Sequence, residues 1–551
     1  MKQPARIVIV GGVAGGASAA ARARRVDESA QIDIFERGPY ISFANCGLPY
    51  FISGEIESRD QLIVMTPQKL WDRSRVRAHV NHEVISIDRK AKKITVRDSG
   101  GTVREVPYDK LILSQGARPI VPPIPGANND NVFTLRDIPD MDRIVRFIET
   151  RHPRRAVVIG GGFIGLEMAE AFHRRGMQVA IVEKFPHVLP LLDPDMAAHL
   201  QNQIQRPGFE IKVGAEAACF TAEGVELADG SSLPGDLILL SIGVRAEVEL
   251  ARTAGLEIGP TGGIKTNGRL ESSDPDIYAV GDAAEVTHGI TGARTRIALA
   301  GPANRQGRIA GANAAGDHSI YPGPIGSSIV RVLNMTVGFT GLNSAQAAKA
   351  GYSFFTSMTR DNSHAHYYPG AKMLVTKLIV EETTGRLLGA QIIGEDGVDK
   401  RIDVLSTAIT ARLTTFDLEN LDLAYAPPFN SANDPLNTAA FVAGHIARAD
   451  TATVAPETWK PNGEFLIDVR DADELKQFGK LAGAVNIPLA QIRERLAEIP
   501  RDRRVVTYCQ KGQRGYFAAS ALRGSGFTKV ANLRGGFLQA QLLGLPIAKD
   551  V

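Results

Sequence analysis

Short apolar runs that end at glycines recur along the chain and predict strands of parallel sheets. The run Arg6–Val10 leads into glycine-rich residues 11–16, an alanine-rich helix and a second strand that ends at Glu36. Strand, glycine turn, helix and strand in this order predict a βαβ unit. The same order recurs about 150 residues later, from a strand at 156–159 to one that ends at Glu183. The pattern therefore predicts two dinucleotide-binding domains.

The apolar pattern changes after about residue 324. Strand-like runs at 328–337 and 373–380 precede a helical segment at 402–413, which together predict an α+β domain to about residue 448. Residues 449–461 are polar with two prolines and predict a linker. A compact α/β pattern then restarts and continues to the end of the sequence.

Composition and charge narrow the class of protein. The 551 residues are 44% apolar and 22% charged, which is typical of a soluble chain with several cores. A net charge of +3 is too small to indicate binding to nucleic acid or to a membrane surface. The longest apolar runs fall well short of the ~20 residues of a membrane span, and the first reads as a strand rather than a signal peptide. We therefore expect a cytoplasmic protein.

Three cysteines, Cys46, Cys219 and Cys509, fit a reducing compartment. They lie too far apart in sequence for a CxxC pair or a zinc cluster, so we expect no metal site. For Cys219 the expected role is buried packing. On residue type alone, the same role is the commoner one for Cys46, which lies in a loop of small residues.

The first glycine turn, residues 11–16, has Gly11 and Gly16 in place but Val13 at the usual middle glycine. Glu36, at the end of the next strand, restores much of the dinucleotide fingerprint, because an acidic residue there accepts hydrogen bonds from the adenosine ribose. The alternative is an ordinary βα turn. A further candidate is Asp282, which follows a strand and a glycine and could reach the ribityl hydroxyls of a flavin.

The second glycine turn, residues 160–165, matches the fingerprint fully. It contains Gly160, Gly162 and Gly165, with Glu183 at the end of the following strand. A carboxylate at that point favours a free 2′-hydroxyl over a 2′-phosphate, so NADH is the expected cofactor. The neighbouring Lys184 would soften this preference and keeps NADPH as the alternative.

Together these motifs resemble the flavoprotein disulfide reductases with two dinucleotide-binding domains. The resemblance covers about residues 1–448 and assigns the first turn, Gly116 and Asp282 to FAD. Residues 42–50, SFANCGLPY, resemble the single-cysteine branch of that family. This branch comprises CoA-disulfide reductases, NADH oxidases and peroxidases, and NADH-dependent persulfide reductases.

The resemblance implies a role for each matching residue. Cys46 would cycle between a thiolate and a mixed disulfide with coenzyme A, and CoA would be bound by Ser18, Arg22, Arg25, Ser42 and Asn45. Two tyrosines supplied by the partner subunit of a homodimer match Tyr367 and Tyr425, with Tyr368 as an alternative for the first. The lysine that contacts CoA in the family falls near Ser74, where Arg73 or Arg75 are the possible substitutes.

The chemistry explains why one cysteine suffices. Breaking a sulfur–sulfur bond needs two electrons, and only a thiolate attacks sulfur, so we expect nearby donors or positive charge to lower the pKa of Cys46. Position 47 is glycine and no CxxxxC partner exists. The second sulfur must therefore come from outside the chain.

The C-terminal residues, about 459–551, resemble a rhodanese domain. A strand leads into Cys509, and the loop that follows ends at Arg514. Successive N–H groups and the next helix N-terminus would stabilise a thiolate or persulfide, with Lys511 and Arg514 adding positive charge. The alternative is a degenerate domain used only for docking.

The predicted fold class is α/β, with two Rossmann-like dinucleotide-binding domains, an α+β dimerisation domain and a C-terminal α/β rhodanese domain. The predicted boundaries are 1–152 and 276–323 for FAD, 153–275 for NAD(P)H, 324–448 for dimerisation, 449–458 for a linker and 459–551 for rhodanese.

The fusion predicts NADH-dependent reduction of CoA persulfide or polysulfide, with Cys509 as the sulfane-sulfur carrier. The alternatives are a CoA-disulfide reductase with an accessory sulfurtransferase, and an NADH oxidase or peroxidase that passes through a sulfenic acid. Another is a sulfur-carrier protein whose reductase is vestigial.

Overall fold

A computed structural model describes residues 4–549 of the chain. The outermost residues of the first and last predicted domains, 1–3 and 550–551, lie outside this range. The chain divides into two compact units. One extends to Pro186 and resumes from Gly208 to Pro324, and the other comprises His187–Pro207 and the chain from Ile325.

The first sheet of the first unit is wholly parallel. Its strands, in spatial order, are Ile277–Ala279, Lys110–Leu113, Arg6–Val10, Gln31–Glu36 and Arg77–Val80. Helices Ala14–Val26 and Ala300–Ala314 pack closely against each other. A Cβ at Gly307 would lie 2.2 Å from the carbonyl oxygen of Gly15, so this approach requires glycine. Parallel strands place the first glycine turn, Glu36 and the residues after 279 at one edge of the sheet.

The second sheet of this unit is also parallel. Its strands, in spatial order, are Glu210–Val213, Gln178–Glu183, Arg155–Ile159, Leu237–Leu240 and Val132–Phe133. Helix Phe163–Arg174 follows its second glycine turn. The central strands are buried on both faces, which explains their unbroken runs of branched apolar residues.

Smaller elements complete the first unit. The remaining α-helices are Leu48–Ser53, Pro67–Ser74, Ile138–Arg151 and Glu249–Thr253. Short 3₁₀ turns lie at Asn45–Gly47, Arg59–Leu62 and Gly281–Ala283. The remaining strands are His82–Asp88, Lys93–Asp98, Val103–Pro107, Ala117–Pro119, Ala217–Phe220, Gly224–Leu227, Ser232–Pro234, Val244–Ala246, Ile264–Lys265, Ala284–Thr287 and Arg294–Thr295.

The second unit contains an antiparallel sheet. Its strands, in spatial order, are Ser328–Val332, Met335–Gly341, Leu387–Gly394, Met373–Glu381 and Phe354–Asn362. The helices beside it are Pro194–Gln205, Ser344–Lys349, Val398–Thr410, Thr415–Glu419 and Pro435–Ala447. The single run predicted at 328–337 is thus a hairpin, which turns at Leu333 with φ +58°.

One segment inside the predicted NAD(P)H domain, 153–275, groups with the second unit. His187–Pro207 belongs to the second unit by its contacts. Two buried carboxylates of this segment explain why, since Lys377 of the antiparallel sheet lies 2.8 Å from Asp193 and 2.7 Å from Asp195. Lys377 thus compensates both charges from within the second unit.

The C-terminal sheet is parallel and also lies in the second unit. Its strands, in spatial order, are Ala452–Val454, Val530–Leu533, Val505–Tyr508, Phe465–Asp468 and Val485–Asn486. Its helices are Ala472–Phe478, Gln513–Gly524 and Gly536–Leu542, with 3₁₀ turns at Leu489–Gln491 and Leu496–Glu498 and a strand pair Lys480–Leu481 and Ile547–Ala548.

The linker predicted at 449–458 is wrong in part. Residues Ala452–Val454 form the edge strand of the C-terminal sheet and pair with Val530–Leu533. Thr451 and Val454 are buried. Their partners lie far along the chain, so local composition gave no signal for this strand.

Candidate active site

The loop that carries Cys46 is tied to the first glycine turn. Ser42 has φ +46°, in the left-handed region that non-glycine residues rarely adopt. Its N–H donates to the Gly12 carbonyl over 2.9 Å, and its own carbonyl accepts from the N–H groups of Val64 and Met65. These bonds hold the residues that precede Cys46 against the turn predicted to bind FAD.

The helix that follows Cys46 packs against the second dinucleotide-binding domain. The Tyr50 hydroxyl donates to Glu167 Oε1 over 3.1 Å, and Arg175 Nε donates to the Ile52 carbonyl over 2.6 Å. Glu167 lies on the helix that begins at the second glycine turn. Cys46 is therefore held by both predicted nucleotide sites.

The surroundings of Cys46 do not meet the expectation of a lowered pKa. Although the residue as a whole is exposed, burial around the thiol raises its pKa, and the carboxylates of Glu167 and Asp282 raise it further. A negative charge near a thiol disfavours the thiolate. Asn45 Oδ1 accepts the Cys46 N–H over 3.1 Å and lies 3.7 Å from Sγ. Within the chain itself, these groups favour the neutral thiol.

The first glycine turn has the shape of a pyrophosphate cradle. Gly11 has φ +95°, and a Cβ there would lie 2.2 Å from the Ser114 carbonyl oxygen. A Cβ at Gly16 would lie 1.9 Å from the Gly11 carbonyl oxygen. Glu36 accepts the Gly12 N–H over 2.8 Å, which fixes its carboxylate at the turn. These features fit the adenosine half of a dinucleotide.

Buried polar atoms without partners lie next to Gly116 and near Asp282, which are predicted to bind the flavin. Both polar atoms of the Gln115 side-chain amide are buried and have no hydrogen-bond partner among the described residues, and the same holds for Arg296 Nε. Buried polar groups normally have partners, so a ligand with hydroxyl or ring acceptors fits here. Gly116 follows with φ +73°. Burial raises the pKa of Asp282, whereas Arg296 and Arg136 lower it.

The second glycine turn repeats this geometry. A Cβ at Gly160, where φ is +103°, would lie 2.5 Å from the Ser241 carbonyl oxygen, and one at Gly165 would lie 1.9 Å from the Gly160 carbonyl oxygen. Gly162 faces open space at the N-terminus of the helix. The approach of a pyrophosphate to that helix end is therefore unobstructed by neighbouring atoms.

The acidic residue of the second site is buried and ordered by the turn. Glu183 accepts the N–H groups of Gly161 over 2.7 Å and of Phe185 over 2.9 Å. Lys184, the residue that would soften the preference for NADH, lies 2.6 Å from Glu216. Lys184 is the cation that the sequence places beside the predicted ribose site, and Glu216 offsets its charge.

The residues that the resemblance assigns to CoA share the first unit with Cys46. Ser18, Arg22 and Arg25 lie on one face of helix Ala14–Val26. Ser18 Oγ donates to Asn304 over 2.6 Å, and Arg22 lies 4.0 Å from Asp317. The Arg25 side chain is exposed. These cations lie at the surface, where phosphate groups can reach them.

Ser74 and the two candidate arginines beside it make different contacts. The carbonyls of Ser74 and Arg75 both accept from Arg24, a buried residue that the sequence did not single out. The Arg75 guanidinium lies 5.2 Å from the Trp71 ring centroid. Arg73 is exposed in the last turn of its helix. Arg75 is exposed as well, so both arginines stay candidates for the place of the CoA-binding lysine.

Tyr367 and Tyr425 meet in the second unit. Their hydroxyl oxygens lie 2.9 Å apart, and both side chains are exposed. The neighbouring Tyr368 instead packs edge-on against His364, with ring centroids 5.7 Å apart. The contact favours Tyr367 over Tyr368 as the first member of the pair.

Cys509 lies at the bottom of a closed loop. Its side chain is buried, and the Gly512 N–H donates to Sγ over 3.2 Å just before helix Gln513–Gly524. The Phe537 N–H donates to the Cys509 carbonyl over 2.8 Å, which closes the loop from the other side. Such backbone donors stabilise a sulfur anion.

The charged residues of this loop differ in availability. Arg514 forms a bidentate pair with Glu474, with both N···O distances 2.7 Å, so Glu474 offsets its charge. Lys511 is half-buried.

The third cysteine, Cys219, was expected to be buried. It is only half-buried on strand Ala217–Phe220, where its thiol lies 3.7 Å from the Phe220 carbonyl oxygen.

Three family models match the chain. The model described as pyridine nucleotide-disulphide oxidoreductase matches residues 5–307, its dimerisation domain matches 327–435, and the rhodanese-like domain matches 450–541. The first of these spans more than half of the chain. The chain belongs to the pyridine nucleotide-disulphide oxidoreductase family. It is an FAD-dependent oxidoreductase of this family with a fused rhodanese-like domain.

Several relatives are similar to this oxidoreductase over most of its length. The NAD(P)H coenzyme A polysulfide/persulfide reductase of Pyrococcus horikoshii is 35% identical over 437 residues, which cover 78% of this chain and 96% of that protein. The structure of reduced Bacillus anthracis CoADR-RHD is similar with a TM-score of 0.96 and 44% identity, over 98% of both chains. An NAD-dependent persulfide reductase from A. fulgidus gives a TM-score of 0.92 and 36% identity, over 97% of this chain and 99% of that one. Both structural similarities extend through the rhodanese-like domain.

Sequence reasoning missed several residues of this oxidoreductase site. Gln115 and Arg296 have buried polar atoms without partners among the described residues, and the Glu167 carboxylate acts on the Cys46 thiol. Gln115 directly precedes Gly116, which the resemblance assigned to FAD. Glu167 follows the second glycine turn and gave no signal of its proximity to Cys46. Among the described residues, no helix is both long and apolar enough to cross a membrane.

Proposed function

We propose that this oxidoreductase reduces CoA persulfide or polysulfide with NADH through a mixed disulfide between Cys46 and CoA. Cys509 carries the sulfane sulfur that forms the substrate. The observation that carries the proposal is the combination of two different cysteine sites. Cys46 is exposed between two nucleotide sites, whereas Cys509 is buried in a loop that donates an N–H to its sulfur.

The reaction balances with one external sulfur compound. The Cys46 thiolate attacks the CoA sulfur of CoA-S-SH, forms the bond Cys46-S-S-CoA and releases HS⁻. Bound FAD supplies the transfer of two electrons from NADH to this disulfide. Cys46 leaves as the thiolate and CoA-SH takes the proton, so each CoA-S-SH and NADH yield CoA-SH, HS⁻ and NAD⁺.

The other predicted residues bind and orient CoA. Arg22, Arg25 and either Arg73 or Arg75 provide positive charge for its phosphates at the surface of the first unit. Ser42 and Asn45 bracket the loop of Cys46. The paired hydroxyls of Tyr367 and Tyr425 act on the sulfur chemistry of a partner subunit in a homodimer. We place this reaction in the cytoplasm.

The direct test is a comparison of substrates with the FAD-bound protein. We expect kcat/KM with NADH to be highest for CoA persulfide, above CoA disulfide, inorganic polysulfide and hydrogen peroxide. A preference for CoA disulfide would make the protein a CoA-disulfide reductase with an accessory sulfurtransferase. A preference for peroxide would assign it to the oxidases and peroxidases.

Replacing Glu167 by glutamine is expected to move the acid limb of turnover to lower pH. The Glu167 carboxylate raises the pKa of Cys46, so its removal lets the thiolate form at a lower pH. Iodoacetamide labelling of Cys46 in the FAD-bound protein, followed by peptide mass across a pH series, measures the shift. Glu170→Gln, on the same helix but paired with Arg174, is the control. Its Cys46 should be labelled with the same pH midpoint as in the unsubstituted protein. An unchanged midpoint in Glu167→Gln contradicts the assignment.

Replacing Glu183 by glutamine is expected to weaken the preference for NADH. The carboxylate repels a 2′-phosphate, and glutamine retains an acceptor for the N–H groups of Gly161 or Phe185. We expect the ratio of kcat/KM for NADH to that for NADPH to fall about tenfold, which corresponds to ~1.4 kcal/mol. Lys184→Gln serves as the control, since Lys184 is paired with Glu216. An unchanged ratio would show that Glu183 does not read the ribose.

A further inference from the structure

Arg401 is a buried cation that none of the predicted roles uses. It lies in the first turn of helix Val398–Thr410, and only 1% of its surface is exposed. Its guanidinium forms a pair with the buried Asp434, with N···O distances of 3.2 and 3.1 Å. A cation at a helix N-terminus opposes the helix dipole, and a buried ion pair is weak evidence for stability alone. The arrangement therefore calls for another reason.

The same guanidinium joins the two loops that carry the exposed tyrosines. Arg401 Nη2 donates to the Ser363 carbonyl over 2.8 Å and to Asn430 Oδ1 over 3.2 Å. Ser363 lies four residues before Tyr367, and Asn430 lies five residues after Tyr425. One side chain thus fixes a point on each loop.

Asn430 extends the connection towards both tyrosines. Its Nδ2 donates to the carbonyl of Ala424, the residue before Tyr425, over 3.1 Å. Its own carbonyl accepts the N–H of Ala365, two residues before Tyr367, over 3.0 Å. Asn430 is itself almost completely buried. A continuous set of hydrogen bonds therefore extends from Arg401 to the backbone beside each tyrosine.

We propose that Arg401 is a positioning residue that holds Tyr367 and Tyr425 in hydroxyl contact. The planar guanidinium suits this task because its donors diverge at fixed angles and reach Asp434 and both loops together. The guanidinium is also packed tightly against the backbone, since a Cβ at Gly397 would lie 2.4 Å from Arg401 Nη1. The importance of this contact for turnover rests on the proposed function, whereas the contact itself does not.

The state of the tyrosine pair gives a readout that is independent of turnover. The hydrogen bond between the two hydroxyls raises the pKa of Tyr425. Loss of the contact should lower that pKa, so tyrosinate absorption should appear at a lower pH. The variant Tyr367→Phe in the FAD-bound protein shows the size of the shift when the contact is removed directly.

The test uses Arg401→Lys, which keeps the positive charge opposite Asp434 but cannot reach both loops. We expect its tyrosinate titration to shift to lower pH as in Tyr367→Phe, and the double variant to shift no further. Arg534→Lys is the matched control, since Arg534 is also buried in the second unit but bonds Glu457 and Thr356. It should titrate as the unsubstituted protein does.

Turnover provides the second measurement. We expect Arg401→Lys to lower kcat for CoA persulfide about 10²-fold, the size of effect that a misplacement of about 1 Å produces. Combined with Tyr425→Phe, its effect should be strongly non-additive, because both changes act through one pair. If Arg401→Lys does not fold, Asn430→Asp breaks the bond to Ala424 and tests the same path.

Two results would overturn the positioning role. One is a titration in Arg401→Lys, or in Asn430→Asp, that matches the unsubstituted protein. The other is full additivity with Tyr425→Phe, as for an unrelated loss of stability. If instead Tyr425→Phe alone leaves kcat unchanged, the role of the tyrosines in the proposed function is wrong, and the titration still decides whether Arg401 positions them.

Discussion

Cys46→Ser is expected to lower NADH-dependent reduction of CoA persulfide by at least about 10³-fold, because it removes the nucleophile of the reaction. The serine hydroxyl cannot form the mixed disulfide or accept electrons as a disulfide sulfur. FAD should remain bound, since the first glycine turn and Glu36 are unchanged. Stopped-flow absorbance should then show normal bleaching of the flavin by NADH without turnover.

The matched control for this variant is Cys219→Ser. Cys219 is half-buried on a three-stranded sheet of the same unit, where it contacts the Phe220 carbonyl. Its replacement should leave kcat and KM unchanged. Persulfide reduction at full rate in Cys46→Ser would show that electrons pass to sulfur without this cysteine.

Cys509→Ser is expected to abolish sulfur transfer from thiosulfate to CoA, again by about 10³-fold or more. The loop around Cys509 offers the Gly512 N–H to a sulfur anion, and a serine cannot carry the sulfane sulfur. Reduction of CoA persulfide supplied from outside should continue at the original kcat, because that step uses Cys46.

The two activities can be measured on the same preparation. Methylene-blue detection of sulfide with CoA persulfide reports on Cys46, and the formation of CoA persulfide from thiosulfate and CoA reports on Cys509. Loss of both activities in Cys509→Ser would contradict separate roles for the two cysteines. Retention of sulfur transfer would favour a rhodanese-like domain used only for docking.

The sequence predicted the elements that local physics determines. The strand Arg6–Val10 and the helix to Val26 appear as expected, because a buried parallel strand is continuously apolar and the turn after it needs glycine at φ +95°. The glycine turn of the second βαβ unit also forms as predicted, with close backbone approaches at Gly160 and Gly165. The family resemblance and the rhodanese-like domain are confirmed by the matching models.

The misses depend on partners that are distant in sequence. The edge strand Ala452–Val454 was read as linker, since its hydrogen bonds come from Val530–Leu533. His187–Pro207 groups with the second unit by its contacts, because the cation that compensates Asp193 and Asp195 is Lys377. Short polar segments carry little local signal, and only the folded chain shows what they contact.

In the candidate site, too, residue types could be predicted from the local sequence, whereas contacts with distant residues could not. Residue types at Cys46, Glu183 and Cys509 indicated the chemistry, and their roles stay predictions. The raised pKa of Cys46 was not foreseen, because it comes from burial and from the charges of Glu167 and Asp282, which belong to elements far away in sequence. The contacts of Arg401 could not be predicted either, because nothing in its local sequence indicates that it bonds to two loops.

The attack of Cys46 on the CoA sulfur is the central claim, and intact-protein mass measured without NADH tests it most directly. The FAD-bound protein carrying Cys509→Ser is mixed with CoA persulfide, and released sulfide is measured in parallel. We expect each chain to gain one CoA at Cys46, to release one sulfide, and to lose the CoA when NADH is added. A gain of a single sulfur atom at Cys46, or no adduct at all, would contradict the account.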